Sequence, residues 1–273
     1  MEEIAAGPPP APVPREGGRQ VIPRPPSARA GSAAPWSGLA PERRHGLTVA
    51  RVRRALADAS AVPDARRLAP DGFPALQSPA AVLVPLFDED GEARVILTRR
   101  SAHLRAHRGE VSFPGGRLEN GETPEAGARR EAMEEIGLDP GPVRTVGRLT
   151  PVTTFASGNT ITPVVGVLPG RPALVASPSE VEHVFDVSLA ELADPHIFRE
   201  EWWTIPGRGP AVFPGGALLS DDAALPDGAA FPGGAANDGS LPFPIWFFEL
   251  PDDTVWGATA RMLVDLLRLV LEV

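Results

Sequence analysis

Apolar and polar positions change period several times along the 273 residues. In residues 47–56 the apolar side chains fall at 47, 49, 50, 52, 55 and 56 with arginines between them, which predicts a helix with one buried face. Residues 80–87 and 93–98 are apolar runs of strand length, separated by Asp88-Glu89-Asp90-Gly91, and together predict a hairpin. Residues 160–168 and 245–250 read as buried strands, and 184–187 as a shorter one. Helical spacing returns over residues 259–271, with Arg261, Asp265 and Arg268 on the wet side. Strands interleaved with helices predict an α/β or α+β sandwich.

Two stretches break this pattern. Residues 1–45 are rich in Pro, Gly, Ala and Arg, and bury too little apolar surface to offset their ordering entropy, so a flexible tail is expected. Residues 207–242 are similarly biased and contain Phe213-Pro214-Gly215-Gly216 and Phe231-Pro232-Gly233-Gly234. Two copies are too few for a repeat array, and strand-like runs flank the stretch, so it reads as a loop inserted into a domain. The remaining length suits one domain, residues 46–273.

Composition narrows the function. Acidic residues outnumber basic ones 35 to 26, for a net charge of -9, which disfavours an electrostatic nucleic-acid binder. All the basic residues are Arg, and Cys is absent, so disulfides, thiolate zinc sites and thiol nucleophiles are excluded. The start Met1-Glu2-Glu3 does not read as a signal peptide, and residues 262–273 are too short and too charged for a membrane span. A cytoplasmic protein that binds no membrane is expected.

Chemistry concentrates between residues 116 and 138. Thr123 suits an N-cap, Pro124 the first helical position, Glu125 the positive end, and Gly137 a left-handed stop. On that helix Glu131, Glu134 and Glu135 lie at i, i+3 and i+4 and are expected to crowd one face. In water each like-charge pair costs only ~0.2–0.5 kcal/mol, so three glutamates alone are also explained by a solvated face. In a cleft with an effective dielectric near 20, carboxylates ~5–6 Å apart repel by ~3 kcal/mol. Such a cleft requires a hard divalent cation, Mg²⁺ or Mn²⁺. The preceding Pro114-Gly115-Gly116 turn can bring backbone carbonyls close to it.

Gly116, Glu122, Arg130-Glu131, Glu134-Glu135 and Gly137, with Ala132 and Leu138 in the apolar slots, reproduce the spacing G-x5-E-x7-R-E-U-x-E-E-x-G-U. This resembles the Nudix box at every fixed position. The resemblance implies an α/β/α sandwich with a mixed central sheet and a loop-helix-loop motif. It also implies hydrolysis of a nucleoside diphosphate linked to another moiety. Carried over, Glu131 and Glu135 would be the principal metal ligands, assisted by Glu134 and the carbonyl of Gly115, while Arg130 and Glu122 would pair to brace the helix.

Upstream, Ile96-Leu97-Thr98-Arg99-Arg100-Ser101, Arg105, Gly109 and Phe113-Pro114-Gly115-Gly116 resemble the coenzyme A pyrophosphatase signature, L-L-T-x-R-[SA]-x3-R-x3-G-x3-F-P-G-G. Ile96 for the first Leu is the single departure, and it conserves volume. What this implies is cleavage of coenzyme A or acyl-CoA to 3′,5′-ADP and (acyl-)4′-phosphopantetheine. Arg100, Arg105, His107, Gly109 and Phe113 would contact substrate, since Arg forks suit phosphates. Arg99 and Arg108 add positive charge but read equally as solvated loop residues. Family habit implies a homodimer. The alternatives are a Nudix pyrophosphatase for ADP-ribose or a dinucleotide, and a non-catalytic Nudix-fold binding module. His103 and His107 stand four apart, but Gly109 and the lack of Cys argue against zinc. Glu180 is a candidate late-chain base, with a surface role as its rival.

Overall fold

The computed structural model describes residues 20, 22, 24–59, 79–104, 107–153, 160–204 and 242–273. The insertion expected at 207–242 lies outside the described residues, apart from Pro242.

Strand β2 (Ala80–Glu89) lies at the centre of the main sheet. Ala81, Leu83 and Phe87 enter one hydrophobic cluster, while Val82, Val84 and Leu86 enter another on the opposite face. A strand covered on both faces has no polar period, which is why this stretch is a continuous apolar run. On one side β2 pairs in parallel with β8 (Thr160–Val167). On the other it pairs antiparallel with β3 (Glu92–Arg100) at one end and β5 (Gly115–Arg117) at the other. The β2–β3 turn has φ of 52° at Asp90 and 82° at Gly91, as a two-residue hairpin loop requires. Short β4 (Val111–Ser112) and long β9 (Val181–Ser188) pair with β3, while β6 (Arg144–Arg148) and β7 (Val152–Thr153) pair with β8. One parallel pair among antiparallel ones makes the sheet mixed, as expected.

Helix α2 (Pro124–Ile136) covers one face, packing Ala128, Ala132 and Ile136 against Ala81, Leu83 and Val164. The other face carries α1 (Val49–Asp58) and α4 (Gly257–Leu271), which occupy two of the segments expected to be helical. Arg51 Nε of α1 donates to the Val270 carbonyl of α4 at 3.1 Å, tying these helices together. A single-turn helix, α3 (Leu189–Leu192), follows β9.

A second, antiparallel sheet has the order β1 (Arg29–Ala30), β10 (Phe198–Trp203), β11 (Phe243–Glu249) and β12 (Thr254–Trp256). It shares the main core, because Phe198, Phe248 and Val255 join the cluster that holds Val84, Val95 and Leu263. Trp36 is fully buried there, with ring centroids 5.3 Å from Phe198 and 6.3 Å from Phe248. The expected tail boundary near residue 45 is therefore corrected. Ala28, Ala34 and Trp36 are buried, and Arg29–Ala30 pairs with Glu201 and Trp202 of β10. Composition made this segment look unable to fold by itself; a strand edge more than 150 residues away gives it hydrogen-bond partners.

Candidate active site

Helix α2 is delimited by the residues its sequence nominated. Thr123 Oγ1 accepts from Ala126 N–H at 3.3 Å, and Gly137 closes the helix at φ 63°. Its buried stripe runs through Ala128, Ala132, Glu135 and Ile136, so the helical period places Glu135 on the core side. The three glutamates consequently do not share one environment. Glu135 is 2% exposed, Glu131 is half-buried, and Glu134 reaches solvent. The expectation that all three crowd one face is corrected to a graded one: Glu134 and Glu135 differ by about 100° in helical phase, enough to separate an exposed side chain from a buried one, while Glu131 lies between them.

Burial pushes the Glu135 carboxyl up to about 7, against the pull of the Gly115 N–H and Arg100, with the charges of Glu131 and Glu180 adding to the rise. The Gly115 N–H donates to Glu135 Oε2 at 3.0 Å, and Arg100 Nη1 lies 3.4 Å from Oε1. Burial also raises Glu131, opposed by Arg130 and reinforced by Glu134 and Glu180. Gly116 makes room for this carboxylate: a Cβ there would stand 2.5 Å from Glu131 Oε1. Glu180 is exposed, yet its charge bears on both buried glutamates, and its carbonyl accepts from Ser101 N–H at 2.8 Å.

Arg130 is the hub of the acid cluster. Its Nε and Nη2 donate to the two Glu122 oxygens at 3.0 Å each, its Nη1 to Glu131 at 3.0 Å and Glu134 at 3.1 Å, and its Nη2 also to the Arg117 carbonyl at 3.0 Å. These hydrogen bonds lower the Glu122 pKa and raise that of Arg130. The Glu122–Arg130 fork joins the loop before α2 to the helix itself, which is the bracing geometry the motif implied.

Among the described residues, no three His, Asp or Glu side chains converge as a ready metal cage. Glu134 is instead held by Arg130, so the three-glutamate set is not assembled as it stands. The residues nonetheless fit a hard cation. The donors are all oxygens, the Glu131 and Glu135 carboxylates are destabilised by burial and by neighbouring negative charge, and Gly116, lacking a side chain, lets Glu131 lie directly against the Pro114–Gly116 turn.

The expected substrate residues separate. Arg100 stands beside Glu135, not apart from it. Gly109, at φ 65°, donates to the Arg100 carbonyl at 3.1 Å and closes the 101–110 loop; His107, also left-handed at φ 56°, pairs its Nδ1 with Glu110 at 2.9 Å. Arg105 lies outside the described residues. Phe113 is corrected: it is 2% exposed and belongs to the main hydrophobic core, so its ring is a packing residue and not a substrate contact. Arg108 Nε donates to the Leu104 carbonyl at 2.5 Å. Sequence reasoning missed the segment after β8, where Val175 and Ser177 N–H groups donate to the Ile136 and Glu135 carbonyls at 2.9 and 2.8 Å. Only Gly137, which marks a helix end needing partners, hinted at it.

Residues 77–206 match the NUDIX domain family. The chain is 43% identical over 118 residues to Nudix hydrolase 3 of Caenorhabditis elegans, covering 42% of this chain and 49% of that protein. It is 42% identical over 113 residues to the uncharacterized Nudix hydrolase NudL of Escherichia coli O7:K1, covering 41% and 58%. Among solved structures, a Nudix hydrolase from M. smegmatis, RenU, is similar at 28% identity, with a TM-score of 0.37 over 43% of this chain and 74% of that one. The chain spans about half the length of the curated relatives it matches.

Proposed function

We propose that this chain is a metal-dependent Nudix pyrophosphatase that cleaves the diphosphate of coenzyme A or acyl-CoA to 3′,5′-ADP and (acyl-)4′-phosphopantetheine. One observation carries the hydrolase reading: Glu135 is buried, its carboxyl is pushed to about 7, and the charges of Glu131 and Glu180 press on it. A carboxylate so placed burdens the fold unless a cation joins it. Glu131 and Glu135 would hold Mg²⁺ or Mn²⁺, with Glu134 and the Gly115 carbonyl as assisting ligands. When bound, the ion offsets diphosphate charge and lowers the pKa of a water. Glu180 takes the proton of the attacking water, and Arg130 keeps Glu122, Glu131 and the helix in register. Arg100, beside Glu135, donates to the diphosphate, while Arg105 and the loop around His107 and Gly109 read the adenosine 3′-phosphate.

The coenzyme A assignment rests on the signature across residues 96–116 and is tested by substrate competition. Coenzyme A, dephospho-coenzyme A, ADP-ribose and a diadenosine polyphosphate are incubated with Mg²⁺ or Mn²⁺ and the products separated by ion-exchange chromatography. Coenzyme A is expected to be preferred to the dephospho form roughly ten- to a hundredfold, the range of charge-assisted hydrogen bonds. Equal rates on ADP-ribose and coenzyme A would transfer the reading to an ADP-ribose or dinucleotide pyrophosphatase. Binding without turnover of any of them would leave a nucleotide-binding module.

A further inference from the structure

Successive side chains of a strand point to opposite faces, and β3 ends in two arginines that make use of this. Arg100 faces α2 and meets Glu135. Arg99 faces the other way, and its Nη1 donates to Asp253 Oδ1 at 3.1 Å. Asp253 lies in the turn between β11 and β12; its side chain is 3% exposed, and burial raises its pKa while Arg99 pulls the other way. Opposite the two arginines the pairing with β9 slips: Arg99 pairs with His183 and Arg100 with Val181, so Glu182 is the extra residue of a bulge. Glu182 Oε2 then stands 3.6 Å from the Arg99 Nε, which is buried and makes no hydrogen bond.

A buried ion pair is a poor source of stability, because desolvating both partners cancels most of their attraction; what it supplies is position. This one clamps the end of β3 at the point where the 101–110 loop begins and ends. Arg100 N–H donates to the Glu110 carbonyl at 3.0 Å, and the Arg100 carbonyl accepts from Gly109 N–H at 3.1 Å. We propose that Asp253, acting through Arg99, is a positioning residue of the active site: it links the β11–β12 turn to the strand end that aims the Arg100 side chain at Glu135. The proposal rests on the hydrolase reading above, although it does not depend on which nucleoside diphosphate is the substrate.

The test is a double-mutant cycle on kcat/KM, measured on whichever of the four compounds above turns over, with Mn²⁺ affinity measured by titration calorimetry in parallel. Asp253→Asn is expected to lower kcat/KM about tenfold, chiefly through KM, and to shift Tm by only a few degrees. In the Arg100→Gln background the same substitution should change kcat/KM less than twofold, since its route to the site is already cut. Arg99→Lys keeps the charge but loses the fork, and is expected to give an intermediate loss; it replaces Asp253→Asn in the cycle if the latter does not fold. An equal loss in both backgrounds, or no loss from either substitution, overturns the proposal. If no nucleotide is hydrolysed by the unmutated protein and Mn²⁺ does not bind, the hydrolase reading has failed instead.

Discussion

The main-chain N–H of Gly115 donates to Glu135 Oε2 at 3.0 Å, across 20 residues of chain. The strand that precedes α2 thereby fixes the carboxylate near the helix's last turn. It does so with a partner that cannot rotate away, in contrast to the loose 3.4 Å approach of Arg100. This bond keeps Glu135 pointing into the site although burial disfavours its charge.

Replacing Glu135 with Gln should therefore stabilise the metal-free protein while removing activity. The folded carboxyl titrates at about 7, against a usual value of 4.5, so between those values the folded state binds more protons than the unfolded chain. Stability consequently falls as pH rises through that window, by up to roughly 3 kcal/mol above pH 7. Glu135→Gln is expected to raise Tm at pH 8 by several degrees, to leave it nearly unchanged at pH 4, and to reduce hydrolysis at least a hundredfold. Thermal unfolding in a chelator at both pH values checks it; a gain of the same size at both would contradict the assignment.

Gly116→Ala probes the close approach of the Glu131 carboxylate to the Pro114–Gly116 turn. The added Cβ would meet both carboxylate oxygens, at 2.5 and 2.7 Å, and these belong to a side chain that can swing aside. Tm should fall by only a few degrees, whereas Mn²⁺ affinity measured by calorimetry should drop tenfold or more. Unchanged affinity would place the cation elsewhere.

Trp36→Ala should cost about 3–5 kcal/mol, as for other fully buried large aromatics. The indole packs against both Phe198 and Phe248, which also contact each other, and its loss would also loosen the β1–β10 pairing. Urea denaturation measures this directly; a change under 1 kcal/mol would mean that the segment is dispensable after all.

Acid should unlock a different part of the molecule. Asp186 receives hydrogen bonds from Arg171 and Arg94; burial pushes its pKa up, but these two cations outweigh burial and hold it below 3.8. A depressed carboxyl contributes stability that is complete above its unfolded pKa and disappears as pH falls through the folded one. Chemical denaturation from pH 5 to 2 should show a loss below pH 4 that Asp186→Asn reduces, the remainder coming from carboxylates such as Glu122 that are also held low by arginine, while the variant is about 1 kcal/mol less stable at pH 7.

Much of α2 was legible from sequence. Thr123, Pro124 and Gly137 act within one turn of the chain they terminate, so α2 needed no distant partner to be located. The apolar runs of β2 and β8 marked them as strands for the same local reason, and the Arg130–Glu122 pairing was implied by the resemblance of the motif. Other features depended on contacts with no sequence period. That Glu131, Glu134 and Glu135 differ in exposure depends on how α2 rolls onto the sheet, which is set by Ala128, Ala132 and Ile136 packing against β2. Trp36 and the Arg29–Ala30 strand looked disordered because their partners, Phe198, Phe248, Glu201 and Trp202, lie more than 150 residues away. Asp253 carried no signal at all; a single carboxylate in a turn becomes legible only when folding sets it against Arg99, 154 residues earlier, in a place too dry for either charge alone.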